Sequence, residues 1–74
     1  MTTTTHSDHD AALIAAKKDI AAESDAAGIK TWRAFLTNNP QAAVDLANRA
    51  PAQGAGEAVF SVLPDGKTWA FLYF

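Results

Sequence analysis

His6, Asp8, His9 and Asp10 are the residues of this chain with the clearest capacity for chemistry, because imidazole and carboxylate groups so close in sequence can share a metal ion or a proton. A tetrahedral metal site needs further nitrogen or sulfur donors on rigid elements, and the chain has 2 histidines and no cysteine. The four residues are therefore expected to form a solvated helix start, and neither a metal nor any other cofactor is expected. Nucleophilic catalysis meets the same deficit: a serine or threonine hydroxyl needs a positioned base, and neither histidine falls in a segment that would build a pocket. Asp19 and Glu23 lie one helical turn apart, where a carboxylate pair most simply belongs to a wet surface. Gly54-Ala55-Gly56 precedes a strand-like run, so it lacks the helix N-terminus that lets a glycine-rich loop hold phosphate. The chain reads as a non-enzyme.

The elements that must position these groups begin with a helix. Ser7 offers an N-cap hydroxyl with the Asp10 carboxylate three residues later, a weaker form of the capping box, and the Thr-rich stretch before it has nothing to bury. Alanine dominates residues 11–27, which predicts a first helix over 8–26, with Leu13, Lys17, Ile20 and Ser24 on its buried stripe. Gly28 is its expected terminator, although Ser24-Asp25 could break the segment earlier. Ile29, Trp32, Phe35 and Leu36 recur at helical spacing and predict a second helix over 29–36, the anchor of the core. Asn39-Pro40 ends it and caps a third helix over 40–49, with Val44, Leu46 and Ala47 facing inward.

The C-terminal third changes character. Residues 57–63 and 68–74 are rich in Val, Phe, Trp and Tyr, and Pro64-Asp65-Gly66-Lys67 separates them. Proline presets the first turn position, aspartate suits the second and glycine takes the left-handed conformation, which predicts a hairpin closed by a type I turn with a bulge. The expected fold is thus α+β, three helices followed by a C-terminal two-stranded antiparallel β-hairpin, with residues 1–7 a disordered tail and 8–74 one domain. Trp69-Ala70-Phe71-Leu72-Tyr73-Phe74 is apolar on both faces, whereas a ribbon with one wet face alternates. Either the first helix or a partner must cover the second face.

Length and charge restrict what such a domain can do. With 74 residues and no cysteine, one small core carries the stability without disulfides, and a partner or a second copy is a natural source of more. The net charge of -2 and the scattered 6 basic residues disfavour generic nucleic-acid binding, since counterion release needs a basic face. No run reaches the length of a membrane span, and the polar start lacks the basic and apolar regions of a secretory signal, so a cytoplasmic protein without membrane contact is expected.

Three functional readings follow. In overall profile, with its Thr-rich head, alanine-rich helix and aromatic hairpin ending at Phe74, the chain resembles the small acidic proteins of phages and mobile elements, among them the anti-CRISPR inhibitors. That resemblance implies a non-enzymatic inhibitor or adaptor that occupies a surface of a bacterial protein complex that handles nucleic acid. The residues suited to such binding are Trp32, Trp69 and Tyr73 as aromatic anchors, with Asp19 and Glu23 as acidic groups that could meet a basic groove. The second reading takes residues 31–37 and 40–49 as a helix-turn-helix and the hairpin as a wing, giving a DNA-binding regulator or antitoxin that uses Arg33 and Arg49. The third is a structural subunit whose hairpin edges pair with copies of itself, at the smallest a homodimer.

Overall fold

The computed structural model describes residues 11–74. The elements run α1 (Ala11–Ala27), β1 (Trp32–Thr37), α2 (Pro40–Asn48), β2 (Ala58–Val62) and β3 (Thr68–Tyr73). The expected start of the first helix, its Ser7 cap, the tail over 1–7 and the His6, Asp8, His9 and Asp10 group lie outside the described residues.

Alanine favours α1 throughout, and the helix stops where glycine permits a left-handed turn. Gly28 has φ 71°; its N–H donates to the carbonyl of Asp25, and the N–H of Ile29 reaches back to the carbonyl of Ser24. The Gly28 N–H also donates to the carbonyl of Ser24 at 2.8 Å, so the last carbonyls of the helix are satisfied around the turn, and the Ser24 hydroxyl donates to the carbonyl of Ile29 beyond it. The chain therefore leaves α1 in a fixed direction.

The second predicted helix is a strand. Residues 32–37 form β1, so the fold has 2 helices and a 3-stranded antiparallel sheet in place of three helices and a two-stranded hairpin. Trp32, Phe35 and Leu36 satisfy helical spacing, but a strand places Arg33, Phe35 and Thr37 on one face and Trp32, Ala34 and Leu36 on the other. What decides between them is tertiary: β1 pairs with β3, from Trp32 opposite Tyr73 to Thr37 opposite Thr68. The Thr37 hydroxyl adds a bond to the carbonyl of Thr68 at 2.7 Å.

Asn39 and Pro40 behave as the sequence implies: the Asn39 side chain accepts from the N–H of Ala42 at 2.8 Å, and proline opens α2. Ala42, Ala43, Leu46 and Ala47 are the buried residues of α2. Val44, expected inward, is exposed. The β2–β3 turn also forms as Pro64-Asp65-Gly66 predicts, with Gly66 at φ 94°, its N–H bonded to the carbonyl of Leu63, and the N–H of Leu63 bonded to the carbonyl of Lys67.

The strand order is β1-β3-β2, so β1 and β2 run parallel to each other on either side of β3. β3 is thus the central strand, with Ala70 and Leu72 under the helices and Trp69, Phe71 and Tyr73 on the face that α1, one of the two expected covers, does not wrap. Both helices lie on one side. There Ala21 of α1 and Ala43, Leu46 and Ala47 of α2 pack against Phe35, Ala70, Leu72 and Phe74. The smallest dimension is 15 Å, and the described residues form two layers, helices on sheet.

Candidate protein interface

One buried cation ties the helix layer together. Lys17 sits on the inner stripe of α1 and its ammonium donates to three carbonyls at the end of α2, those of Leu46 at 2.9 Å, Ala47 at 3.2 Å and Arg49 at 2.8 Å. The carbonyls of Leu46 and Ala47 also accept from the N–H groups of Arg49 and Gln53, so the ammonium adds a second donor to each, and a cation at a helix C-terminus is favoured by the dipole. Burial lowers the Lys17 pKa from 10.5 to about 8. The ammonium also lies 5.6 Å from the centre of the Phe74 ring, whose neighbours are the Arg33 guanidinium at 5.7 Å and the Phe35 ring at 6.2 Å. Lys17 is therefore a structural clamp, and its position on the stripe with Leu13, Ile20 and Ser24 was the signal for it in the sequence.

The other face of the sheet carries the candidate site. Alternation places Trp32, Ala34 and Leu36 of β1, Trp69, Phe71 and Tyr73 of β3, and Val59 and Ser61 of β2 on the side away from the helices. Trp32 is opposite Tyr73, Leu36 opposite Trp69, and both Ala34 and Val59 opposite Phe71. The rings form two pairs, Trp32 with Tyr73 at 5.3 Å between centres and Trp69 with Phe71 at 6.1 Å. Trp32 is 50% exposed, Leu36 40% and Val59 53%, while the aromatics of the central strand are half-buried by their sheet neighbours. An apolar surface of this extent is what interaction sites look like, and Trp and Tyr combine large contact area with little conformational entropy to lose.

A polar rim borders the Tyr73 end. Lys30 makes an ion pair with Glu57 at 3.3 Å and lies 5.9 Å from the centre of the Tyr73 ring. The Glu57 carboxylate accepts from the N–H of Gly54 at 2.8 Å; that bond and the one from Lys30 hold its pKa below the usual value. Gln53 anchors the same loop by donating to the carbonyls of Tyr73 at 2.7 Å and Glu57 at 3.2 Å.

Three of the five residues expected to bind a protein partner, Trp32, Trp69 and Tyr73, therefore meet on one face. Asp19 and Glu23 do not join them: both are exposed on α1, in the layer behind the sheet. Leu36, Phe71 and Val59 complete the face: Leu36 escapes sequence reasoning because β1 has helical spacing, while Phe71 shares the face of Trp69 and Tyr73 by strand alternation. The helix-turn-helix reading loses its first helix, and its cations separate. Arg33 is on the helix side of the sheet with its guanidinium over Phe74, and Arg49 is exposed at the end of α2. Among the described residues no three His, Cys, Asp or Glu side chains gather as a metal site, and no helix is long and apolar enough to cross a membrane.

Among the described residues, fold and face together define a two-layer α+β domain with helices on one side of the sheet and an uncovered aromatic platform on the other. No protein-family model, curated protein or solved structure matches the chain.

Proposed function

We propose that this chain is a non-enzymatic protein-binding inhibitor or adaptor whose uncovered sheet face seats the partner. The observation that carries the reading is the concentration of Trp32, Leu36, Trp69, Phe71 and Tyr73 on the face opposite the helices. Aromatic side chains on a rigid sheet make strong anchors because little order has to be created on binding. Single-stranded nucleic acid also stacks on such rings, but it needs cations to follow its backbone. Here Lys30 is engaged by Glu57, Arg33 lies behind the sheet, and the net charge is -2. A protein partner fits these features better.

The overall profile that resembles anti-CRISPR inhibitors makes a bacterial nucleic-acid-handling complex, in the cytoplasm, the target of choice. Asp19 and Glu23, exposed on α1, would then contribute to steering toward a basic surface while the aromatic face supplies affinity. The test is a pull-down from nuclease-treated bacterial lysate with wild-type and Trp32→Ser baits in parallel. A stoichiometric protein held by the wild type and lost with the variant supports the reading. A partner retained equally by both contradicts it.

A further inference from the structure

Among the described residues no strand pairs with the outer edge of β2, and this edge carries a second surface, distinct from the aromatic face and not dependent on the reading above. Hydrogen bonds fix which residues of β2 face outward. The N–H of Tyr73 donates to the carbonyl of Glu57 at 2.9 Å, and the N–H of Leu63 donates to the carbonyl of Lys67 at 2.7 Å. In an antiparallel pair such bonds recur at every second residue, so 57, 59, 61 and 63 bond to β3. Ala58, Phe60 and Val62 then aim their N–H and carbonyl groups away from the sheet.

Edge strands in monomeric proteins are usually blunted by charge, proline or a bulge. β2 has none of these: its sequence is Ala-Val-Phe-Ser-Val, and no charged residue occurs between Glu57 and Asp65. The helices do not shield it either. Phe60 and Val62 point to the helix side of the sheet yet remain 39% and 59% exposed. β1, the other edge, carries Arg33 and keeps Phe35 and Thr37 buried under the helix layer.

We propose that β2 pairs with β2 of a second copy of this chain, antiparallel about a two-fold axis at Phe60. In that register Phe60 lies opposite its own counterpart and Ala58 lies opposite Val62, so each outward residue exchanges both of its backbone bonds. The exposed Phe60 and Val62 side chains are covered on the helix side, and the two aromatic faces join into one surface of twice the width. No charged residue stands directly opposite another. A contact confined to one short strand is smaller than a standard interface, which sets the expected Kd on the order of 10–100 µM.

The test uses the purified full chain alone, by sedimentation equilibrium from about 5 µM to about 1 mM, a range that brackets that Kd. Expected is a closed monomer–dimer equilibrium. Phe60→Lys and Phe60→Glu each place like charges opposite one another and are expected to weaken it at least about tenfold, and an equimolar mixture of the two is expected to restore it. Backbone amide exchange on the wild type serves if the variants fail to fold. The amides of Phe60 and Val62 gain protection as concentration rises, whereas those of Val59 and Ser61 are protected at every concentration. A monomer throughout, assembly that grows without closing, a dimer insensitive to Phe60→Lys, or outward amides indifferent to concentration each overturns the proposal. Trp32→Ser leaves the dimer intact, so a failure of the aromatic-face reading is separable from a failure here.

Discussion

The two faces of this sheet are built from the same strands but from opposite kinds of residue. Toward the helices, β3 presents Thr68, Ala70 and Leu72; away from them it presents Trp69, Phe71 and Tyr73. On β3 the covered side is the one with the smaller side chains, and the helices meet it with Ala21, Ala43, Leu46 and Ala47. Small groups on both sides let the layers approach closely around the Phe35 and Phe74 rings, and the core closes without the bulk of the other aromatics. Most of that bulk stands on the uncovered face. A domain of this size whose largest side chains are not spent on its core has them available for another molecule.

That contrast can be broken from the covered side first. Leu72 is fully buried at the centre of the sheet, and Leu72→Ala is expected to cost about 2–5 kcal/mol, read as a fall in the urea midpoint. Lys17→Met comes next. It removes a donor from the carbonyls of Leu46, Ala47 and Arg49, of which the first two keep the N–H groups of Arg49 and Gln53, and is expected to cost about 1–3 kcal/mol at neutral pH. The pH dependence distinguishes this clamp from ordinary packing. Below pH 8 both folded and unfolded chains hold the Lys17 proton and the burial penalty is present in full. Between about 8 and 10.5 the folded chain releases it while the unfolded chain keeps it, so this group's contribution to stability rises with pH across that window. The wild type is expected to gain on Lys17→Met as pH is raised from 8 to 10, and a flat difference would show that Lys17 is not desolvated.

Smaller effects are expected at the turns that hold the layers in register. Gly66→Ala forces a side chain into φ 94° with no steric clash beyond that and should cost about 1 kcal/mol. Asn39→Ala removes the bond to the N–H of Ala42 and should cost a similar amount, about 1 kcal/mol, by thermal or urea unfolding. The smallest effect on stability belongs to the open face. Trp32→Ser, at a half-exposed position, is expected to change folding free energy by less than about 0.5–1 kcal/mol.

Much of this fold is legible from local signals. The alanine run gives α1, Gly28 its end, Asn39-Pro40 the start of α2, and Pro64-Asp65-Gly66 the turn between β2 and β3. β1 is not legible in the same way. Its pattern at 32, 35 and 36 suits a helix as well as a strand, and the choice is made by pairing with β3 more than thirty residues away, as Trp32 opposite Tyr73 shows. The terminal strand, apolar on both faces, points to a cover for its second face from the first helix or a partner, and does not by itself point to β1. Of the candidate site, the aromatic members Trp32, Trp69 and Tyr73 could be picked by residue type alone, but their convergence on one face depends on the register that β1 adopts. Asp19 and Glu23 were chosen for charge, and charge gives no information about which layer a residue occupies.

The central claim is that the open face serves binding while the covered face serves folding, and one paired measurement addresses both halves. Wild-type and Trp32→Ser proteins are compared for urea midpoint and, side by side, for the amount of partner each retains from nuclease-treated lysate. The account predicts nearly equal midpoints together with a loss of retained partner of at least about tenfold, the size of effect expected for an aromatic hot spot. Equal retention of the partner, or a collapse of the folded state that accompanies its loss, would contradict it.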